Sequence, residues 1–230
     1  MNRVYLESPR QAGKATLRAA SIVAFTGKPG TGKDSAAAVL VNHCRFQSIA
    51  FADALRLEIS KVWRIDERML THRPTKELPL PALAVGMCNE PAFVSWCFES
   101  GESLHEPRSP RWVLQQWATY QRRYRPTYYA DIVVRWLCRE ASLGFRRFAI
   151  TDLRDPVEVA ALAALGARLH IVRVHSQRAS ELQSETATHT SERYILGADF
   201  DLCNDHSLDS LRETVLALPP VAALCAEVQS

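Results

Sequence analysis

The stretch Ser21-Ile-Val-Ala-Phe-Thr-Gly-Lys-Pro-Gly-Thr-Gly-Lys-Asp-Ser35 decides the fold. Its first six residues are a short apolar run that ends at a glycine, the pattern of a strand buried in a parallel sheet. Residues 32–43 follow with Ala36, Ala37, Ala38, Val39, Leu40 and Val41, a good helix. Between the two lies Gly, four residues, then Gly-Lys, which is the phosphate-loop spacing. Glycines let the backbone curl so that successive N–H groups point inward at phosphate oxygens, and the helix behind adds its positive end. Gly27, Lys28, Gly30, Thr31, Gly32, Lys33, Asp34 and Ser35 are therefore the candidate ATP-binding residues. Lys33 is placed to reach the β- and γ-phosphates and to balance charge as the γ-phosphoryl group moves.

One position departs from that spacing. The residue after Gly-Lys is usually Ser or Thr, which ligates Mg²⁺; here it is Asp34, with Ser35 next. A carboxylate is a hard oxygen ligand that serves Mg²⁺ directly or through water. From the loop alone, an ATPase, a GTPase and a kinase all remain open.

Working outward, Phe46–Phe51 reads as a second strand and Ala54–Val62 as a second helix. From about 70 to 110, Pro74, Pro79, Pro81, Pro91, Pro107 and Pro110 punctuate the chain, so short helices and loops are expected there. Residues 111–143 are rich in Arg and aromatics at helical spacing. Alternation of strand and helix then resumes with a strand at Phe148–Thr151. At Asp155-Pro-Val-Glu158, Asp caps, Pro takes the first turn and Glu sits three residues after the cap. That helix stops at Gly166. Strands at Leu169–Val174 and Phe200–Cys203 and a helix at Leu208–Leu218 complete the pattern. The expected architecture is α/β: a P-loop NTPase-type parallel sheet flanked by helices, with a helical substrate-binding insertion. The expected organisation is a flexible lead-in over 1–20 and a domain over 21–230. Its core is 21–66 and 144–218, its insertion about 67–143, and a lid about 175–195.

Composition narrows the class. The 230 residues are 47% apolar and 23% charged, with a formal net charge of +3. A dedicated nucleic-acid binder normally carries a concentrated basic excess, so no stable nucleic-acid partner is expected, and a small phosphorylated substrate is. The six cysteines form no Cys-x-x-Cys pair and read as reduced thiols. The first twenty residues hold no continuous apolar core, and no stretch is long enough to span a bilayer. A cytoplasmic location is expected, and monomer and homodimer both stay open.

Several residues outside the loop are candidates for chemistry. Asp53 follows the second strand, where ligands gather in parallel sheets; capping of the next helix is the other reading of it. Asp152-Leu153-Arg154 follows the strand at 148–151. Asp152 is placed to hold Mg²⁺ or its water shell and Arg154 to touch phosphate, with a structural ion pair as the alternative. Arg108, Arg111, Arg122, Arg123 and Arg125 are interleaved with aromatics that suit base stacking, although part of that set must be core or solvated surface. Arg173, Arg178, His189, Glu192 and Arg193 bracket the polar stretch 175–193, a lid that excludes water or a plain surface loop.

Taken together, Gly-Lys-Pro-Gly-Thr-Gly-Lys-Asp (27–34), Phe-Ala-Asp-Ala-Leu-Arg (51–56), Ser-Pro-Arg-Trp-Val-Leu-Gln (109–115), Ile-Thr-Asp-Leu-Arg (150–154), His-Thr-Ser-Glu (189–192) and Asn-Asp (204–205) resemble a known set. The chain is similar over most of 21–215 to the deoxynucleoside monophosphate kinases of tailed bacteriophages and their prophage relatives. These are P-loop kinases distantly similar to dephospho-coenzyme A kinases and the animal phosphomevalonate kinase. The resemblance implies transfer of the ATP γ-phosphate to a deoxynucleoside 5′-monophosphate with Mg²⁺, in the cytoplasm of a bacterial host. It implies that Lys33, Asp34 and Ser35 serve the ATP phosphates and the metal. Asp53, Arg111, Gln115, Thr119 and Arg123 would line the monophosphate site, Asp152 and Arg154 would stand between the nucleotides, and His189 and Glu192 would belong to the lid. It also makes Asp34 a family trait. Ala118-Thr119 stands where relatives have Gly-Thr, and 84–107 and 1–20 have no counterpart, so the acceptor is less constrained than the reaction. Other acceptors consistent with the residues are a hydroxymethylated base in phage-type DNA and a dephospho-coenzyme A-like molecule. A nucleotide-binding switch that is no kinase is the remaining alternative.

Overall fold

The computed structural model describes residues 17–177 and 196–229. The chain forms two compact units, Met1–Phe51 with Ala130–Ser230, and Ala52–Tyr129. The second unit thus begins and ends earlier than the insertion expected over 67–143.

The first unit is built on five parallel strands: β1 (Ser21–Thr26), β2 (Gln47–Ile49), β3 (Arg147–Ile150), β4 (Arg168–His175) and β5 (Phe200–Cys203), in the order β2-β3-β1-β4-β5. β1 lies at the centre, and all six of its residues are buried. Its side chains alternate between two apolar layers. Ile22 and Ala24 join Phe148 and Ile150 on one face, and Val23 and Phe25 join Ala149, Val172 and Val174 on the other. A sheet apolar on both faces must be covered on both. On the Val23 side the cover is α1 (Lys33–Cys44) with two C-terminal helices, Leu208–Ala217 and Pro219–Gln229. On the Ile22 side it includes Ala130, Val133 and Leu137 of the helix Tyr128–Ser142 and Leu162 of the helix Pro156–Ala163.

Among the described residues the helices of eight residues or more after α1 are, in chain order, α2 (Phe51–Trp63), α3 (Pro91–Glu99), α4 (Pro110–Arg122), α5 (Tyr128–Ser142), α6 (Pro156–Ala163), α7 (Leu208–Ala217) and α8 (Pro219–Gln229). α6 starts as its sequence dictates. The Asp155 side chain accepts from Val157 N, and Glu158 reaches back to the Asp155 backbone, a complete capping box. No helix among the described residues is long and apolar enough to cross a membrane.

The structure corrects the sequence reading at four places. Leu17 and Ala20 are fully buried in the layer beside Ile22, so the end of the lead-in belongs to the core. α2 starts at Phe51 and not at Ala54, because Asp152 Oδ1 accepts from Phe51 N at 2.7 Å. α8 is an additional helix, started by the prolines at 219 and 220, which suit a first turn. Cys44 and Cys225 are joined in a disulfide across a sequence separation of 181, with Cα atoms 5.3 Å apart, so these two are not reduced thiols. Val221 and Leu224 of α8 pack in the layer that holds Cys44, which brings the two sulfurs together.

The second unit has its own core. Trp63, Phe93, Trp96, Trp117 and Tyr120 meet ring to ring at centroid distances of 5.0–5.8 Å. Between α2 and α3 the chain runs through single helical turns and loops, as its prolines predict. The Trp63 indole N–H donates to Ala84 O at 3.1 Å and satisfies the one polar atom of that buried ring.

Candidate functional site

The first unit presents the glycine loop at the carboxyl end of the central strand. Gly27, Gly30 and Gly32 have φ of 133°, 81° and 95°, the left-handed region that L side chains rarely adopt. Two of the three also lack room for a side chain. A Cβ on Gly27 would lie 2.3 Å from Val174 O, and one on Gly32 would lie 2.1 Å from Asn204 Nδ2. Thr31, 2% exposed, turns its hydroxyl inward to donate to Lys28 O at 2.9 Å. Lys33 closes the loop: its Nζ donates to Gly27 O at 2.8 Å and to Lys28 O at 2.7 Å.

Helix α1 leaves the loop with no side-chain cap at Gly32. The N–H groups of Gly30, Gly32, Asp34 and Ser35 donate to no acceptor among the described residues. Orphan donors at a helix start, beside a nearly buried ammonium, form a place for an anion. The donor set of the loop, backbone N–H groups and one cation, is of the kind that suits a phosphate chain. The Gly27 and Lys28 carbonyls that the Lys33 ammonium donates to are neutral, and a bond from an ammonium to an anion is stronger than one to a carbonyl. Asp34 is exposed and Ser35 half-buried in the first turn of α1. Among the described residues no three His, Cys, Asp or Glu side chains gather as a metal site. A divalent ion here suits phosphate oxygens and water plus one or two protein oxygens, the Mg²⁺ manner of binding.

Asp152 and Arg154 follow β3, the neighbour of β1. Leu153 N donates to Phe25 O at 3.0 Å, which lays this segment alongside the strand end that enters the loop. Asp152 has a structural duty there, since it caps Phe51 N. The backbone N–H of Arg154 donates to Glu158 at 2.9 Å, while its guanidinium has no partner among the described residues. At the ends of β4 and β5, His175 and Asp201 pair at 2.6 Å. The His175 hydrogen bond holds the Asp201 carboxyl below the usual carboxylate range, with Arg173 adding to the effect. Asp205 accepts from Gln177 N at 2.7 Å and Cys203 Sγ at 2.9 Å, and the Cys203 contact leads in lowering its carboxyl.

The second unit carries the other predicted residues. Arg111, Gln115 and Thr119 lie at four-residue steps along one stripe of α4, and Arg123 is its C-cap; the opposite face buries Val113, Trp117 and Tyr120. Arg111 is ion-paired with Glu77. The Arg123 guanidinium lies 3.5 Å from the Tyr120 ring centroid and 4.5 Å from that of Tyr124. Asp53 lies inside the first turn of α2, not at its cap, and pairs with Arg56 at 2.6 Å.

Sequence reasoning missed Glu58. Its carboxylate accepts from Tyr128 Oη at 2.6 Å, Trp117 Nε1 at 3.0 Å and Tyr129 Oη at 3.1 Å. Burial, with the Glu58 charge adding to it, pushes the Tyr129 phenol far above its ordinary value, so the phenol stays the donor. Glu58 also lines an open recess of about 410 Å³ with Lys61, Val62, Glu90, Trp117, Tyr120 and Gln121. No sequence signal pointed to it, because its partners are 59 to 71 residues away. Arg178, His189, Glu192 and Arg193, and with them most of the lid expected over 175–195, lie outside the described residues.

The chain matches no protein-family model and no curated protein. Among solved structures it is similar to an unliganded sugar kinase from Janibacter sp. HTCC2649, at 15% identity and TM-score 0.43, over 89% of this chain and 98% of that one. It is also similar to TT1252 from Thermus thermophilus, at 18% identity and TM-score 0.44, over 91% of this chain and 98% of that one. Likeness of this degree says nothing about substrate or activity.

Proposed function

We propose that the chain is a nucleotide kinase that transfers the γ-phosphate of ATP to a deoxynucleoside 5′-monophosphate, giving the diphosphate and ADP. The observation that carries this reading is the closed glycine loop, with the Lys33 ammonium drawn over the carbonyls of Gly27 and Lys28 ahead of an uncapped α1. A support of a different kind is the sequence resemblance, which joins that loop to Asp152-Leu-Arg154 and to the Arg111, Gln115, Thr119 and Arg123 stripe.

In this reading the loop N–H groups and Lys33 bind the triphosphate of the donor. Lys33 turns to the β- and γ-phosphates and stays with the charge as it shifts during transfer. Asp34 and Ser35 would hold Mg²⁺ with Asp152 near it, and the ion would supply charge that neutralises the phosphates. Asp53, Arg111, Gln115, Thr119 and Arg123 bind the acceptor, the two arginines as bidentate phosphate partners. For that, Arg111 exchanges Glu77 for a phosphate. Arg154 supplies a further cation. No strong general base is required, because a nucleotide phosphate oxygen is already a competent nucleophile.

A panel of deoxynucleoside monophosphates mixed with ATP, read as ADP release, tests the reading. Release stimulated by one or more of them supports it. Release only with dephospho-coenzyme A or with DNA containing hydroxymethylated bases reassigns the acceptor. ATP binding with no acceptor found in any class refutes the kinase and favours a nucleotide switch.

A further inference from the structure

The phosphate loop is tied at one point to a segment far away in the sequence. Asn204 Nδ2 donates to Thr31 O at 2.8 Å across a separation of 173 residues. Asn204 is itself fixed by its backbone, whose N–H donates to His175 O at 2.9 Å as the β4–β5 ladder ends. The side-chain amide therefore comes from a rigid base. It also fills the space beside Gly32, where a Cβ would lie 2.1 Å from Nδ2.

The consequence follows from peptide geometry. In a trans peptide the C=O of one residue and the N–H of the next point in opposite directions, and the chain contains no cis bond among its described residues. Thr31 C=O and Gly32 N–H belong to the same peptide unit. Holding the carbonyl toward Asn204 turns the Gly32 N–H to the opposite side. With φ of 95° at Gly32 and 81° at Gly30, this stretch has the freedom to take the other orientation. In that orientation a carbonyl oxygen would take the place of the N–H donor. Lys33 fixes the carbonyls of Gly27 and Lys28, and the Thr31 hydroxyl adds a second bond to Lys28 O. Those bonds hold the first half of the loop, and Asn204 holds the second.

We infer that Asn204 is a positioning residue that fixes the Thr31–Gly32 peptide so that the Gly32 N–H faces the bound phosphates. The inference deepens the kinase reading and rests on triphosphate binding at this loop. Asn204 acts through the peptide plane. A contact to the nucleoside part of the ligand is the competing role for a residue at this place, and the two roles separate by ligand.

The test measures calorimetric Kd values for ATP and for inorganic tripolyphosphate with wild type, Asn204→Ala and Asn204→Asp, together with melting temperatures. Loss of one oriented hydrogen bond predicts that Asn204→Ala weakens both ligands by the same factor, about three- to tenfold. Asn204→Asp keeps the volume but its carboxylate cannot donate to a carbonyl, so it weakens both at least as much. Because it is nearly isosteric, it serves where the alanine variant does not fold. Weakened ATP with unchanged tripolyphosphate overturns the inference in favour of a nucleoside contact. Variants that bind both ligands as wild type does overturn it outright. A wild-type protein that binds neither ligand removes the phosphate-loop reading, and the inference with it.

Discussion

Replacing Gly27 by Ala separates two costs that glycines at positive φ usually mix. Gly27 has φ +133° and its new Cβ would meet Val174 O at 2.3 Å and Val174 C at 3.3 Å. That carbonyl belongs to β4, which is paired with β1 on one side and β5 on the other, so it has little freedom to retreat. Gly144 is the control, with φ +103° and nothing within 4 Å of its would-be Cβ. Backbone strain costs about 1–3 kcal/mol at each position, and the clash adds about 1–3 kcal/mol at Gly27 alone. Gly27→Ala should therefore unfold at lower urea than Gly144→Ala, by on the order of 1 M in midpoint for slopes of about 1–3 kcal/mol/M. The loop can escape the clash by moving away from β4, and in that case stability is spared and ATP affinity falls. Urea unfolding and ATP titration of both variants cover the two outcomes. A Gly27→Ala protein no less stable than Gly144→Ala that still binds ATP as wild type does would refute the close approach of loop and strand.

Three further outcomes are expected. Lys33→Ala should lower kcat by about 10²–10³, the usual effect of deleting one electrostatic donor. Glu58→Ala should cost about 1–3 kcal/mol for each buried donor left without an acceptor; Trp117 and Tyr129 are each 2% exposed, and Glu58→Gln, which keeps an acceptor oxygen, should cost less. Thiol titration at pH 8 without reductant should find exposed Cys203 accessible in the native protein. Cys88 and Cys97 should resist, because burial pushes their thiols up to about 12 and about 11. Unfolding should expose the four free thiols, and reduction should add Cys44 and Cys225.

Much of the first unit could be read from local pattern. β1 was bounded by its own apolar run, and the α6 start was written in four consecutive residues, Asp155 to Glu158. These signals act over a few residues, where propensity and capping decide. α8 was hidden because Pro219-Pro220 stops a preceding helix and starts a following one with the same residues. What remained invisible depends on partners distant in sequence. Asp152 caps Phe51 from 101 residues away, Arg111 meets Glu77 from 34, and Cys44 meets Cys225 from 181. The phosphate loop stood out because its meaning lies in glycine spacing. The tie from Asn204 to Thr31 did not, since it exists only once β4 and β5 are paired.

The central claim is that this loop donates the γ-phosphate of ATP to a nucleotide. The most direct measurement incubates the protein with Mg²⁺, ATP labelled in the γ-phosphate and each of the four common deoxynucleoside monophosphates, and separates the nucleotides. Label appearing in a deoxynucleoside diphosphate, and lost with Lys33→Ala, is the predicted result. Label released only as inorganic phosphate, at a rate indifferent to every monophosphate, would contradict it.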